Sequence, residues 1–134
     1  VSVSKAFDPP LLGLDVLDVD HRLLFGLLAD LAALAAQGAP ALLLEDAALE
    51  LAQAMESHIT REERMMAEIH DPSLEAHALA HGALFRRVER MTGDFLFGLG
   101  PDGACREIEA LALAAAEEVR TADRDSAPYL AKLV

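Results

Sequence analysis

The sequence predicts an all-α fold, an up-down-up-down antiparallel four-helix bundle. Three observations predict it. Ala and Leu dominate the 134 residues, β-branched residues are few, and no stretch alternates with period two. Four segments carry apolar residues at spacings of three and four, the seam of a bundle. Short turns join these segments, which makes neighbouring helices antiparallel. The length suits a single domain with one core, taken as residues 1–134.

Residues 1–13 hold Pro9, Pro10 and Gly13 and read as an extended lead-in. A first helix spans about Val16 to Gln37. Its seam is Leu17, His21, Leu24, Leu28, Leu31 and Ala35, and Gly38-Ala39-Pro40 ends it. A second spans about Leu42 to Ile69, with Leu44, Ala48, Leu51, Met55, His58, Glu62, Met65 and Ile69 in its seam. Asp71-Pro72 opens the third, since Asp caps helix N-termini and Pro fits the first turn. This helix spans about Pro72 to Phe97, with seam Leu74, His77, His81, Leu84, Val88, Met91 and Phe95. The Gly- and Pro-rich residues 98–103 form the next turn. A fourth helix spans about Ala104 to Ala122, with seam Ala104, Ile108, Leu111, Ala115, Glu118 and Ala122. Asp123 follows at once, and the tail SAPYLAKLV reads as a short packed end.

Ionisable residues in these seams demand an explanation, because an unpaired buried charge costs several kcal/mol. His58 and Glu62 lie one helical turn apart, as do His77 and His81, so each pair projects from one helix face. Counting from the turns places them at one depth. His21 lies 18 residues before Ala39, and His58 lies 19 after it. His81 lies 19 residues before Gly100, and Glu118 lies 18 after it. His21, His58, Glu62, His77, His81, Glu118 and Asp123 therefore share one layer of the bundle. A lone seam histidine is most often a hydrogen-bonded core residue. Histidines and carboxylates on all four helices at one depth instead fit the way bundles build dinuclear iron or manganese sites. Zinc usually takes four ligands at one ion, and without thiolates an iron–sulfur or blue-copper site is disfavoured.

Composition narrows the function further. Hydrophobic residues make up 53% of the chain, yet no apolar run approaches the roughly 20 residues a membrane span needs. The start, VSVSKAFDPP, lacks a signal-peptide pattern. Cys105 is the single cysteine and cannot form an internal disulfide, which fits a reducing, cytoplasmic setting. The net charge of −12 disfavours nucleic acid and anionic membranes as partners. His70 beside the second turn, and Glu63, Glu117 and Asp125 off the seams, read as surface residues. Met55, Met65 and Met66 read as core filler or pocket wall. There is no Ser/His/Asp nucleophile arrangement and no phosphate-cradling loop, so no catalytic residue is assigned.

The pattern resembles the hemerythrin family over nearly the whole chain. The carrying residues are the run from Gly13 through Asp18 to His21, then His58-xxx-Glu62-Glu63-xx-Met66, then His77-xxx-His81, then Asp123. The resemblance implies a bacterial-type non-haem di-iron domain, with manganese as the alternative metal, that takes up O2 or small anions. It implies that His21 and His58 ligate one iron and His77 and His81 the other. Glu62 and Asp123 would bridge the ions, beside an oxo, hydroxo or water bridge. Leu24, Ala115 and Val119 occupy positions that line the family's oxygen pocket. A domain of this kind can also form part of a larger signalling protein.

Two departures stand out. The family has a third histidine for the second iron five residues before the bridging Asp, and here that position is Glu118. Its carboxylate is expected to bind the metal held by His77 and His81. Phe7 stands where an N-terminal tryptophan is usual, and Ala114 and Ala115 replace bulky pocket residues, which predicts a roomy, wet pocket. Two readings follow. One is a module that binds or senses O2. The other is a di-iron oxidase or peroxidase, favoured by Glu118, because anionic oxygen donors stabilise the ferric state. Use of the site for iron handling or another metal is a third reading.

Overall fold

The chain, seen in a computed structural model, is described for the backbone of residues 5–13 and 15–130; the side chains at 15, 16, 122–124 and 130 lie outside the described residues. Four long helices form the predicted bundle: α1 (Asp15–Ala36), α2 (Ala41–Glu68), α3 (Leu74–Arg90) and α4 (Gly93–Glu118). A π-helical turn, Val119–Asp123, then leads into a short α5 (Arg124–Leu130). α1 and α3 each lie against both α2 and α4. Within the lead-in, Lys5–Phe7 form one 3₁₀ turn that tucks Ala6 into the core.

Local chemistry ends each helix. Gly38 adopts φ 71° after α1. There Gly38 N–H reaches Ala35 O at 3.0 Å and Ala39 N–H reaches Leu34 O at 3.1 Å. This is the Schellman closure that a left-handed residue permits. His70 does the same for α2 at φ 52°, with Asp71 N–H bonded to Met66 O at 3.0 Å. The surface histidine is thus also the residue that stops the helix. Asp71 then accepts from Ser73 N–H at 2.9 Å and from Ser73 Oγ–H at 2.7 Å, fixing the approach to α3.

The third connection departs from expectation. α3 stops at Arg90, and Thr92 caps a new helical segment by accepting from Phe95 N–H at 3.2 Å. Glu45, from the start of α2, accepts from Gly93 N–H at 2.5 Å. A Cβ at Gly93 would collide with the Ala41 carbonyl, so only glycine fits there. Phe95 is consequently exposed, and the expected seam of the third helix ends at Met91. Residues 98–103 are helical apart from Gly100, whose φ of 76° kinks α4 just before Pro101. α4 proper also ends sooner than expected, at Glu118.

Most of the apolar seam is buried as the periodicity requires, though Ile69, Leu74 and Leu84 are only half-buried. Leu28, Leu31, Leu44, Leu51, Leu96, Ile108 and Leu111 form the main core. A second, small cluster of Leu17 and Met66 is separate from it. After Glu62 the buried position on α2 is Met66, whereas Met65 is half-buried. Burying each of the large side chains contributes about 1.5–3 kcal/mol, which is what holds the polar layer beside them in place.

Candidate metal centre

Six of the seven expected ligands are in the described structure, and all six are buried. His21 comes from α1, His58 and Glu62 from α2, His77 and His81 from α3, and Glu118 from the last turn of α4. Asp123 falls in the π-helical turn, and its side chain lies outside the described residues.

His58, His77 and His81 converge on Glu62. Its Oε2 lies 3.1 Å from His58 Nε2, and its Oε1 lies 2.6 Å from His77 Nε2 and 3.6 Å from His81 Nε2. The His77 and His81 Nε2 atoms stand 3.1 Å apart. His21 packs edge-on to His58 with ring centroids 5.1 Å apart. Glu118 Oε1 lies 3.2 Å from His81 Nε2.

The donors fall into two groups that share one carboxylate. His21, His58 and Glu62 offer ligand atoms all within 4.8 Å of one another, and so do Glu62, His77 and His81. This spacing fits a metal. Two donors that each sit about 2.0–2.2 Å from one ion stand about 3 Å apart, the separation of the His77 and His81 nitrogens. Imidazole and carboxylate donors without thiolate suit iron or manganese.

Each of three histidines aims Nε2 inward and gives Nδ1 to an outer group, an arrangement that orients metal-binding imidazoles. His58 Nδ1 lies 3.0 Å from Asp20 Oδ2, and Arg61 donates to the same oxygen at 2.6 Å. His81 Nδ1 lies 3.0 Å from Glu63 Oε2. His77 Nδ1 lies 3.3 Å from Ser126 Oγ on α5. Burial disfavours charge on His58, but the Asp20 and Glu62 carboxylates outweigh it and push its pKa up to about 9. Burial likewise opposes ionisation of Asp20, and hydrogen bonds from His58 and Arg61 overcome it and hold the carboxyl below its usual range.

Sequence reasoning assigned no role to Asp20 and Ser126 and took Glu63 for a surface charge. Glu63 is in fact half-buried against α3, because a position flanking the seam faces the neighbouring helix. An acid next to a seam ligand was the available signal: Asp20 precedes His21 and Glu63 follows Glu62. Ser126 had none, since the π-helical turn before it breaks the helical count.

A cavity of about 40 Å³ adjoins the layer, with Leu24, Ala115 and Val119 in its wall beside His21, His58, His81 and Glu118. At roughly 10–15 Å³ per water-sized occupant it has room for about three. Phe25 packs onto Ala115 and Ala116 and lines the cavity with Ala115. Leu28, Met55 and Leu84 complete a mainly apolar wall.

Four helices that converge imidazoles and carboxylates on one buried layer define a metal-binding helical bundle. The family model for the hemerythrin HHE cation binding domain matches residues 12–129, and the chain belongs to that family. No curated protein and no solved structure matches it. No described helix is long and apolar enough to cross a membrane.

Proposed function

We propose that this chain binds or senses O2 at a dinuclear non-haem iron centre. One observation carries the reading: two buried ligand groups share Glu62, and a small apolar cavity opens beside them. His21 and His58 would hold one ion, His77, His81 and Glu118 the other, with Glu62 and Asp123 between them. The π-helical turn supports the pairing of Glu118 with Asp123, because its i→i+5 bonding brings positions five apart nearly into register. Ferrous ions in such a site supply the electrons that O2 binding requires.

The protein's own residues do the remaining work. Asp20, Glu63 and Ser126 fix the imidazoles, so little reorganisation accompanies metal uptake. Leu24, Phe25, Leu28 and Met55 keep the cavity apolar, which suits a small uncharged ligand and restricts water. Metal analysis of protein from iron-supplemented cells, followed by optical spectra of the reduced form on exposure to O2, tests the reading. We expect two irons per chain and a reversible spectral change. One metal or none, or a spectrum indifferent to O2, overturns it.

A second reading, an oxidase or peroxidase, draws on Glu118, whose Oε1 lies 3.2 Å from His81 Nε2. A third anionic donor favours the ferric state. Glu118→His should then raise the reduction potential and slow oxidation of the ferrous protein in air. An unchanged potential would remove the support for this reading.

A further inference from the structure

His77 differs from His58 and His81 in what stands behind it. His58 and His81 each meet a carboxylate directly, at 3.0 Å in both cases. His77 meets a hydroxyl, Ser126 Oγ, at 3.3 Å. Ser126 is fully buried and reaches Ser73 Oγ at 2.9 Å. Ser73 Oγ in turn lies 2.7 Å from Asp71 Oδ1, and Asp71 is itself buried.

The direction of this chain is set from both ends. A histidine that offers Nε2 to a metal carries its proton on Nδ1, so His77 donates to Ser126. The Asp71 carboxylate can only accept, so Ser73 donates to it. The middle bond must then run from Ser126 to Ser73, and every hydroxyl gives one hydrogen and takes one. Such a chain polarises along its length. Three separate stretches meet in it: the turn before α3, α3 itself, and α5.

We propose that Asp71, Ser73 and Ser126 form a hydroxyl relay that positions His77 and couples the docking of α5 to filling of the metal position at His77 and His81. The proposal rests on the reading of His77 as a metal ligand. Ser126 is a positioning residue, acting on the metal through His77. The relay makes α5 part of the site: when α5 lifts away, His77 loses the group that orients it, whereas His58 and His81 keep theirs.

Stepwise anaerobic titration of Fe(II) into metal-free protein tests this, with wild type, Ser126→Ala, Ser126→Thr and Ser73→Ala compared. We expect two binding steps in the wild type. Ser126→Ala should weaken one step by about 10–100-fold, the range for loss of an outer-shell partner, and leave the other nearly unchanged. Ser126→Thr keeps the hydroxyl and should restore the affinity. Ser73→Ala breaks the relay one bond further out, and we expect a smaller loss at the same step. In the diferrous protein, one exchangeable imidazole N–H signal should exchange faster with D2O in Ser126→Ala than in wild type.

The outcomes separate cleanly. Two wild-type steps with no change in Ser126→Ala or Ser73→Ala overturn the relay and leave the metal reading standing. Equal weakening of both steps, together with a lower melting temperature and no rescue by Thr, shows mere packing and also overturns it. A wild type that takes up no second iron overturns the metal reading, and the relay with it. Should Ser126→Ala fail to fold, Ser73→Ala and Ser126→Thr still decide.

Discussion

The His58 side of the centre and the His77 side hold their imidazoles by different means. His58 is anchored by Asp20 from α1, and Asp20 is itself clamped by Arg61 at the surface. That anchor lies between two long helices buried against the main core. His77 is anchored by a seven-residue helix that arrives last in the chain and bonds through hydroxyls. His58 carries a full ion pair behind it and His77 a relayed charge, while His81, beside His77, meets the Glu63 carboxylate directly. The difference teaches that a site can look symmetric at its ligands, two pairs one helical turn apart, and be asymmetric in what supports them. The two metal positions should therefore differ in affinity and in their response to perturbation.

The largest expected effect erases the comparison altogether. Glu62 belongs to both groups, so Glu62→Gln, equal in size but neutral, should abolish uptake at both positions, as read by elemental analysis. Retention of one full metal would show that the two groups do not depend on a shared carboxylate. Next comes His77→Ala, which should halve the metal content while the His21 and His58 position keeps its affinity. Loss of both ions would mean that the sides are not separable.

A subtler change sharpens the His58 side. Asp20→Asn should weaken one binding step by about 10–100-fold. It should also alter the pH dependence. The folded pKa of His58 is raised from 6.5 to about 9, so its protonated form stabilises the metal-free fold fully below 6.5. That contribution fades as pH rises through about 9. Metal must displace the same proton, so iron affinity should rise with pH up to that point. In Asp20→Asn both transitions should move to lower pH, seen in melts of chelator-treated protein and in Fe(II) titrations. A pH profile identical to wild type would contradict the assignment of Asp20 as the group that raises His58.

The smallest effect concerns the cavity, which touches His58 and His81 alike. Ala115→Leu should narrow it and slow air oxidation of the ferrous protein by a few-fold, with both binding steps intact. Stopped-flow absorbance would show it. Unaltered oxidation would mean that small ligands reach the layer by a route not lined by Ala115.

Much of this was legible in the sequence, for a simple physical reason. Between the first two turns and the site runs uninterrupted α-helix, so counting residues there measures depth at about 1.5 Å each. That arithmetic placed His21, His58, Glu62, His77, His81 and Glu118 in one layer. The count fails where the period changes. The break at Met91–Thr92 carries no Pro and depends on Glu45, 48 residues before Gly93, accepting from Gly93 N–H. Thr92-Gly93, a capping residue and a glycine, is its local sign, easily passed over inside an otherwise helical pattern. Asp20 and Glu63 were hidden differently. An acid one position off a seam looks like any solvated charge until the partner helix is in place. Phe25 was missed because a pocket's size depends on side chains from the helix opposite Ala115, which the periodicity of α4 alone does not reveal.

The π-helical turn at Val119–Asp123 acts as a phase shifter in the chain's winding. An α-helix advances about 100° per residue, and a π turn holds one residue more than the regular screw would. Everything downstream is therefore set on a bearing that α4 could not reach by simple extension. Ser126, buried against His77, lies on that bearing. Removing a single residue from the turn, Thr121 for instance, would let the screw close to its ordinary period and swing α5 by about 100°. Every amino acid of α5 would survive such a deletion, and Ser126 would still be lost to the site. Asp123 and Val119 aside, the number of residues in this turn matters more at the metal layer than their identity, so a length polymorphism here would be felt there even with every side chain kept.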